Sequence, residues 1–270
     1  MVPAADKKGS VVKSKNFRRL RRGLSHVLAR YGYKLTRIDD NADCFTPLLR
    51  VVLEAVLAQR HHEPLRVVQV GANDGVTLDP LAEFLENPNV EALLIEPHPA
   101  AFASLERKHQ GSPRIRTLRA AIGAPDLRLY SVAEEWRSEF EKRGGNPDRK
   151  SSSNSAHVAR WVEKRMGVTA VEAARRVSEV DVEFVPLAAA IELAQFSETF
   201  EVLQVDAEGF DDQIIFSTDL DLHRVFLVHY ETANLNSERV AQLSRHLVDL
   251  GFKIFPNGPD SFAVRHSILA

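Results

Sequence analysis

A single cysteine, Cys44, occurs in the 270 residues. One thiol excludes an intramolecular disulfide framework and a zinc site built from several cysteines, and it fits a reducing compartment. No apolar run reaches the roughly eighteen residues needed to span a bilayer. The N-terminus has basic residues but no apolar core of a signal peptide, so a cytoplasmic protein is expected. Charge of one sign is also scarce: 35 Lys and Arg stand against 37 Asp and Glu, a net charge of -2. A protein working mainly on nucleic acid needs a strongly basic surface, so no nucleic-acid partner is expected. No internal repeat is visible. What is present is a 44% hydrophobic content, ample for one large α/β domain or two small ones.

Residues 1–16 lack periodicity and read as a tail. Beyond them Phe17, Leu20, Leu24, Val27, Leu28 and Tyr31 share one helical face, and Arg18, Arg19, Arg21 and Arg22 lie mostly off it. This pattern predicts a basic amphipathic helix ending at Gly32. It would pack on its own domain with a solvated basic rim; the other reading is a peripheral membrane or polyanion contact through residues 17–31. A second helix is predicted over 46–59, with Pro47 in its first turn. The pair His61-His62 lies in a polar connection with no partner ligand nearby, and predicts a loop rather than a metal site. These boundaries divide the chain into a tail and helical extension, 1–45, and a main domain, 46–270.

The main domain is organised around residues 65–78, LRVVQVGANDGVTL. An apolar run breaks at Gly71 and resumes after Gly75 with helical spacing through Leu78, Leu81, Ala82 and Leu85, which predicts strand, tight turn, helix. A second apolar run, 92–95, ends in Glu96 and is followed by Pro97; a third strand, 114–118, leads into Ala121-Ile122-Gly123. A glycine-containing first turn with an acid at the tip of the second strand suits a nucleoside, the acid accepting from ribose hydroxyls. Small residues at the third tip leave room for a flat ring. Residues 134–180 are highly charged and lack the density of a sheet core, so they read as an inserted, lid-like or substrate-facing segment. Strands are then predicted at 180–185, 201–205 and 225–228, and two short final strands flank Pro256-Asn257-Gly258 as an antiparallel edge.

Every unusual polar cluster falls at the carboxyl end of a strand, where open parallel sheets bind ligands: Gly71 to Gly75, Glu96, Ala121 to Gly123, Asp206 to Gly209, and His229 to Glu231. A dinucleotide turn needs G-x-G-x-x-G. Here the register is Gly71-Ala72-Asn73-Asp74-Gly75, with no glycine at 73, which suits a ligand without a pyrophosphate, such as S-adenosylmethionine. At these tips the candidate donor-binding residues are Gly71, Ala72, Asn73, Asp74, Gly75, Glu96, Pro97, Ala121 and Ile122.

On the segments 67–81, 93–99, 120–123 (AAIG), 203–215 (LQVDAEGFDDQII) and 229–231 (HYE), the chain resembles the FkbM-type S-adenosylmethionine-dependent methyltransferases. The likeness spans about residues 65–265, and Tyr31-Gly32-Tyr33 looks like the leader many members carry. The resemblance implies a doubly wound, seven-stranded Rossmann-like α/β sheet with its last strand antiparallel. It also implies a bound methyl donor and transfer to a hydroxyl of a sugar or related small metabolite. Two departures stand out: Gln69 where methyltransferases commonly have an acid, and Gln204 where the family often has lysine. By the same resemblance Gln69 can still hydrogen-bond the donor's methionine moiety and joins the candidate donor-binding set, and Asp206 or Asp74 is left to pair with the ammonium. An alcohol acceptor needs a general base, for which Asp206, Glu208, His229 and Glu231 are candidates, with Asp206 nearest the donor and Glu208 or His229 as base. A divalent metal on Asp206, Glu208 and Glu231 is a variant but not the expectation. The alternatives are a non-catalytic, membrane-recruited module on the same fold and, further off, an NAD-type oxidoreductase.

Overall fold

The computed structural model describes residues 46–60, 63–77, 79–147 and 150–266. The basic helix expected at 17–31 and the pair His61-His62 lie outside the described residues.

Apolar runs that are buried on both faces form the centre of a sheet rather than amphipathic strands. In chain order the elements are α1 (Thr46–Gln59), β1 (Leu65–Val70), a short 3-10 helix (Phe84–Glu86), β2 (Val90–Ile95), α2 (Pro99–His109), β3 (Ile115–Leu118), β4 (Ala121–Ile122) and β5 (Leu129–Val132). Then follow α3 (Glu134–Lys142), α4 (Ser155–Met166), α5 (Ala170–Ala174), β6 (Val177–Val180), β7 (Phe184–Val185), α6 (Leu187–Leu193) and β8 (Val202–Val205). The last are α7 (Asp211–Ser217), β9 (Leu227–Glu231), α8 (Ser237–Asp249), β10 (Phe252–Asn257) and β11 (Asp260–Arg265).

The main sheet has the order β10-β11-β9-β8-β1-β2-β3. Its pairings are parallel except where β11 lies antiparallel to both β9 and β10. Because strand side chains alternate, β1 sends Val68 and Val70 to one face and Leu65 and Val67 to the other. The first face packs on Ile191 of α6, Ile214 and Ile215 of α7, and Leu243 and Leu247 of α8. The second packs on Leu49 and Leu53 of α1 and Leu105 of α2. Helices on both faces make the sheet doubly wound, as the resemblance implied.

The helix expected after Gly75 does not form. Asp74 accepts from the amides of Val76 and Thr77, and Asp79 from that of Leu81. Such side-chain bonds offer the backbone an alternative to the helix, and Pro80 disfavours a helical Asp79. Leu81, Phe84 and Leu85 are still buried, from turns and the 3-10 helix. The single strand expected at 180–185 is two strands: β6 pairs with β5, β7 with β4, and neither joins the main sheet. One stretch serving two separate ladders cannot remain straight between them.

Residues 134–180 have a small core of their own, Phe140, Val162, Met166 and Ala173 against Val132. Asn154 caps α4 by accepting from Ala156 and His157, and Gly167 ends it in the left-handed conformation, φ 68°. Thr169 and Glu172 form a reciprocal capping box on α5.

Candidate functional site

The tips of β1, β2 and β8 meet at one edge of the sheet. The amides of Gly71 and Ala72 both donate to the carbonyl of Ile95, and the amide of Asp206 donates to that of Val70. Gly71 has φ +82°, and a Cβ there would come within 1.9 Å of the Asp206 carbonyl oxygen. Only glycine fits so close an approach, and this contact locks the first turn against the acidic segment. Glu96 is buried and accepts from two backbone amides, Asn73 at Oε2 and His98 at Oε1, both at 2.8 Å. Its carboxylate therefore fixes the turn, with Asn73 at φ 51°, and faces the same cleft.

That cleft is lined by Gln69, Gly71, Ala72, Asn73, Glu96, Pro97, Ala121 and Ile122. Asp206, Glu208 and Phe210 line it too, with Ser151 and Ser153 of the excursion. Donor-binding and acidic candidates thus share one cavity at the carboxyl edge.

Glu208 sits at φ 48° in the turn before α7. Its carboxylate meets Lys150 Nζ at 3.4 Å and accepts from Asn234 Nδ2 at 2.9 Å; the same Nδ2 donates to Glu231 Oε2 at 2.6 Å. Ser152 Oγ donates to the Glu208 carbonyl at 3.0 Å, which pins the excursion to the acidic turn. The acids in the first turn of α7 are Asp211 and Asp212, and its N-cap, Phe210, makes no side-chain cap hydrogen bond. Asp211 accepts from the amides of Gly209 and Glu231, and burial, with Asp206 nearby, holds its carboxyl well above the usual range. Asp212 is paired with Arg239. Burial first, then the charges of Asp206, Glu208 and Asp211, pushes Glu231 up to about 8. At neutral pH it therefore holds its proton most of the time.

Four candidates, Asp74, Gly75, His229 and Glu231, are not among the residues that line the cleft. Asp74 turns its carboxylate onto its own loop, bonding Val76, Thr77 and the Thr77 hydroxyl. Gly75, φ +69°, packs against Leu105. His229 lies within β9 rather than at its end, and is the register partner of Gln204 and Phe262. It is buried, and burial lowers its pKa to about 4.

Sequence reasoning missed Asp79. It lines the cleft, and its Oδ1 accepts from Gln69 Nε2 at 2.9 Å. An acid ten residues beyond the anomalous Gln69 was a signal in plain view, hidden by the expectation of a helix there. Among the described residues, no group of three or more His, Cys, Asp and Glu is arranged to hold a metal ion, and no helix is long and apolar enough to cross a membrane.

A strand order with one reversed strand next to the edge, helices on both faces and a cleft over the first turn defines the class I methyltransferase fold. Solved structures with a similar outline include methyltransferase FkbM from Methylobacillus flagellatus KT (12% identity, TM-score 0.44). That match covers 74% of this chain and 43% of the other. The N-terminal domain of human METTL16 in complex with SAH is 11% identical, with TM-score 0.41 and coverage of 90% and 79%. Aeropyrum pernix fibrillarin with natively bound S-adenosyl-L-methionine is 13% identical, with TM-score 0.38 and coverage of 80% and 74%. No curated protein sequence matches the chain. The model of the methyltransferase FkbM domain matches residues 69–254, well over half of the chain. The chain belongs to the FkbM methyltransferase family and is a methyltransferase of the S-adenosylmethionine-dependent kind.

Proposed function

We propose that the protein methylates a hydroxyl oxygen of a small polar acceptor such as a sugar. The observation that carries this reading is the shared cavity, which Glu96, Gly71 and Ala121-Ile122 line together with Asp206 and Glu208. The donor side fits S-adenosylmethionine. Gly71 permits close backbone approach, a carboxylate oxygen of Glu96 can accept more than one hydrogen bond, and Ala121 and Ile122 offer a small apolar seat for an adenine ring. When bound, S-adenosylmethionine supplies an activated methyl group with a good leaving group.

The chain's own residues then have two tasks, to align the acceptor and to receive its proton. Glu208 is suited to the second, since its backbone is fixed by Ser152 and its carboxylate by Asn234 and Lys150. Asp206 lines the same cavity, closer to the first turn. Ser151 and Ser153 supply hydroxyls for a polar acceptor, which fits a sugar better than an apolar substrate. Mass-spectrometric screening of a panel of sugars and small alcohols with S-adenosylmethionine tests the reading. Mass gain of one methyl on a hydroxyl acceptor, lost in Glu208→Gln, is the expected result. Methylation confined to nitrogen or carbon acceptors, or full activity in Glu208→Gln, would overturn it.

A further inference from the structure

Three buried acceptor oxygens with no hydrogen-bond partner cluster at the floor of the cleft: Asp79 Oδ2, Gln69 Oε1 and Gln204 Oε1. Their neighbourhood follows from the backbone. Gln69 and Gln204 are register partners on adjacent parallel strands, so their side chains emerge side by side on the same sheet face. Gln69 then holds Asp79 through Nε2. All three residues line the cavity, and the two glutamines are 1% and 2% exposed.

A buried acceptor left unpaired is destabilising, because it gives up its bonds to water without replacement. Three together, one of them a carboxylate oxygen, form a site short of donors. Burial raises the Asp79 carboxyl above its ordinary value, against the opposing influence of its hydrogen bonds and of Lys108. A primary ammonium group supplies the missing donors, three N–H groups on a single positive charge.

We propose that Asp79, oriented by Gln69 and flanked by Gln204, is the residue that binds the α-ammonium of the donor's methionine moiety. This restores, from a loop ten residues on, the charge that Gln69 lacks at the tip of β1. The inference rests on the donor reading of the cleft. Asp206, the other acid considered for this task, is thereby left to the acceptor side.

Calorimetry with S-adenosylhomocysteine and with its deamino analogue, on the wild-type chain and on Asp79→Asn, tests it. Asparagine keeps an oxygen to accept from Gln69 and Leu81 and removes the charge. The wild-type chain is expected to prefer S-adenosylhomocysteine over the deamino analogue by about tenfold or more, since hydrogen bonds to charged groups are among the stronger ones. Asp79→Asn should erase that preference by weakening only the amino compound. A preference that survives in the variant, or equal weakening of both ligands in a variant with wild-type circular dichroism, overturns the assignment. If Asp79→Asn does not fold, Asp79→Ser is the second variant, with the same two outcomes. If the wild-type chain binds neither ligand, the donor reading fails first and this inference falls with it.

Discussion

A carboxylate that accepts two backbone amides can hardly swing, and Glu96 is in that position between Asn73 and His98. Read from sequence as a candidate ribose acceptor, Glu96 has a structural task as well, which is to hold the first turn through the amide of Asn73. Glu96→Gln puts an amide donor where two amides already donate, so one bond is lost and a donor faces a donor. The expected result is a fall in S-adenosylhomocysteine affinity of more than tenfold, with a stability loss of about 1–3 kcal/mol. Calorimetry and urea denaturation read the two effects separately; unchanged affinity would remove Glu96 from the donor site. Glu208 differs in kind. Its left-handed backbone costs about 1–2 kcal/mol for a residue with a Cβ, and such strain concentrates at functional sites. Glu208→Gln keeps the backbone and the Asn234 neighbour, so turnover is expected to drop by 100-fold or more, while donor affinity changes by less than threefold. An equal loss in both would show that Glu208 serves the donor.

At the scale of elements, the excursion 134–180 is tied to the acidic turn by Ser152, which is buried, bridges Tyr130 by backbone pairing and bonds the Glu208 carbonyl. Ser152→Ala is expected to raise the acceptor KM severalfold and leave donor affinity unchanged, as steady-state kinetics and calorimetry would show. Unchanged acceptor KM would detach the excursion from acceptor binding. The central strands β1, β2, β8 and β9 were legible because continuous Val and Leu runs have few alternatives to a buried parallel strand. The helix after Gly75 was misread because Leu81 and Leu85 satisfy helical spacing, yet Asp74 and Asp79 bind their own backbone and Pro80 follows. The division of 180–185 was hidden for another reason: which ladder a strand joins is a tertiary choice that Val180 and Val185 do not encode locally. The same holds for His229. Its place at a strand end was inferred from an apolar run stopping at Val228, but β9 continues through it.

For the whole molecule, two groups, the buried His229 and the half-buried Glu231, pull stability in opposite directions with pH. His229 has its pKa depressed from 6.5 to about 4, so the unfolded chain binds its proton first. The stability this group permits is complete above pH 6.5 and is lost as pH falls through about 4. Glu231 is raised from 4.5 to about 8. Its contribution is complete below pH 4.5 and is lost as pH rises through about 8. Glu231→Gln removes the second effect alone, so relative to the wild-type chain it should gain stability steadily from pH 5 to pH 8 in urea denaturation. Parallel profiles over that range would mean that Glu231 titrates normally.

The sheet brings the first turn, Glu96 and the DAEGF segment to one edge, although they lie far apart in sequence, and the central claim is that this edge is a working methyl-donor site. Titration of the folded chain with S-adenosylhomocysteine, followed by calorimetry, tests it most directly. One molecule bound per chain, with a raised unfolding temperature and no comparable heat from NADH, is the predicted result. Absence of binding by well-folded protein, or binding of NADH in its place, would contradict the account.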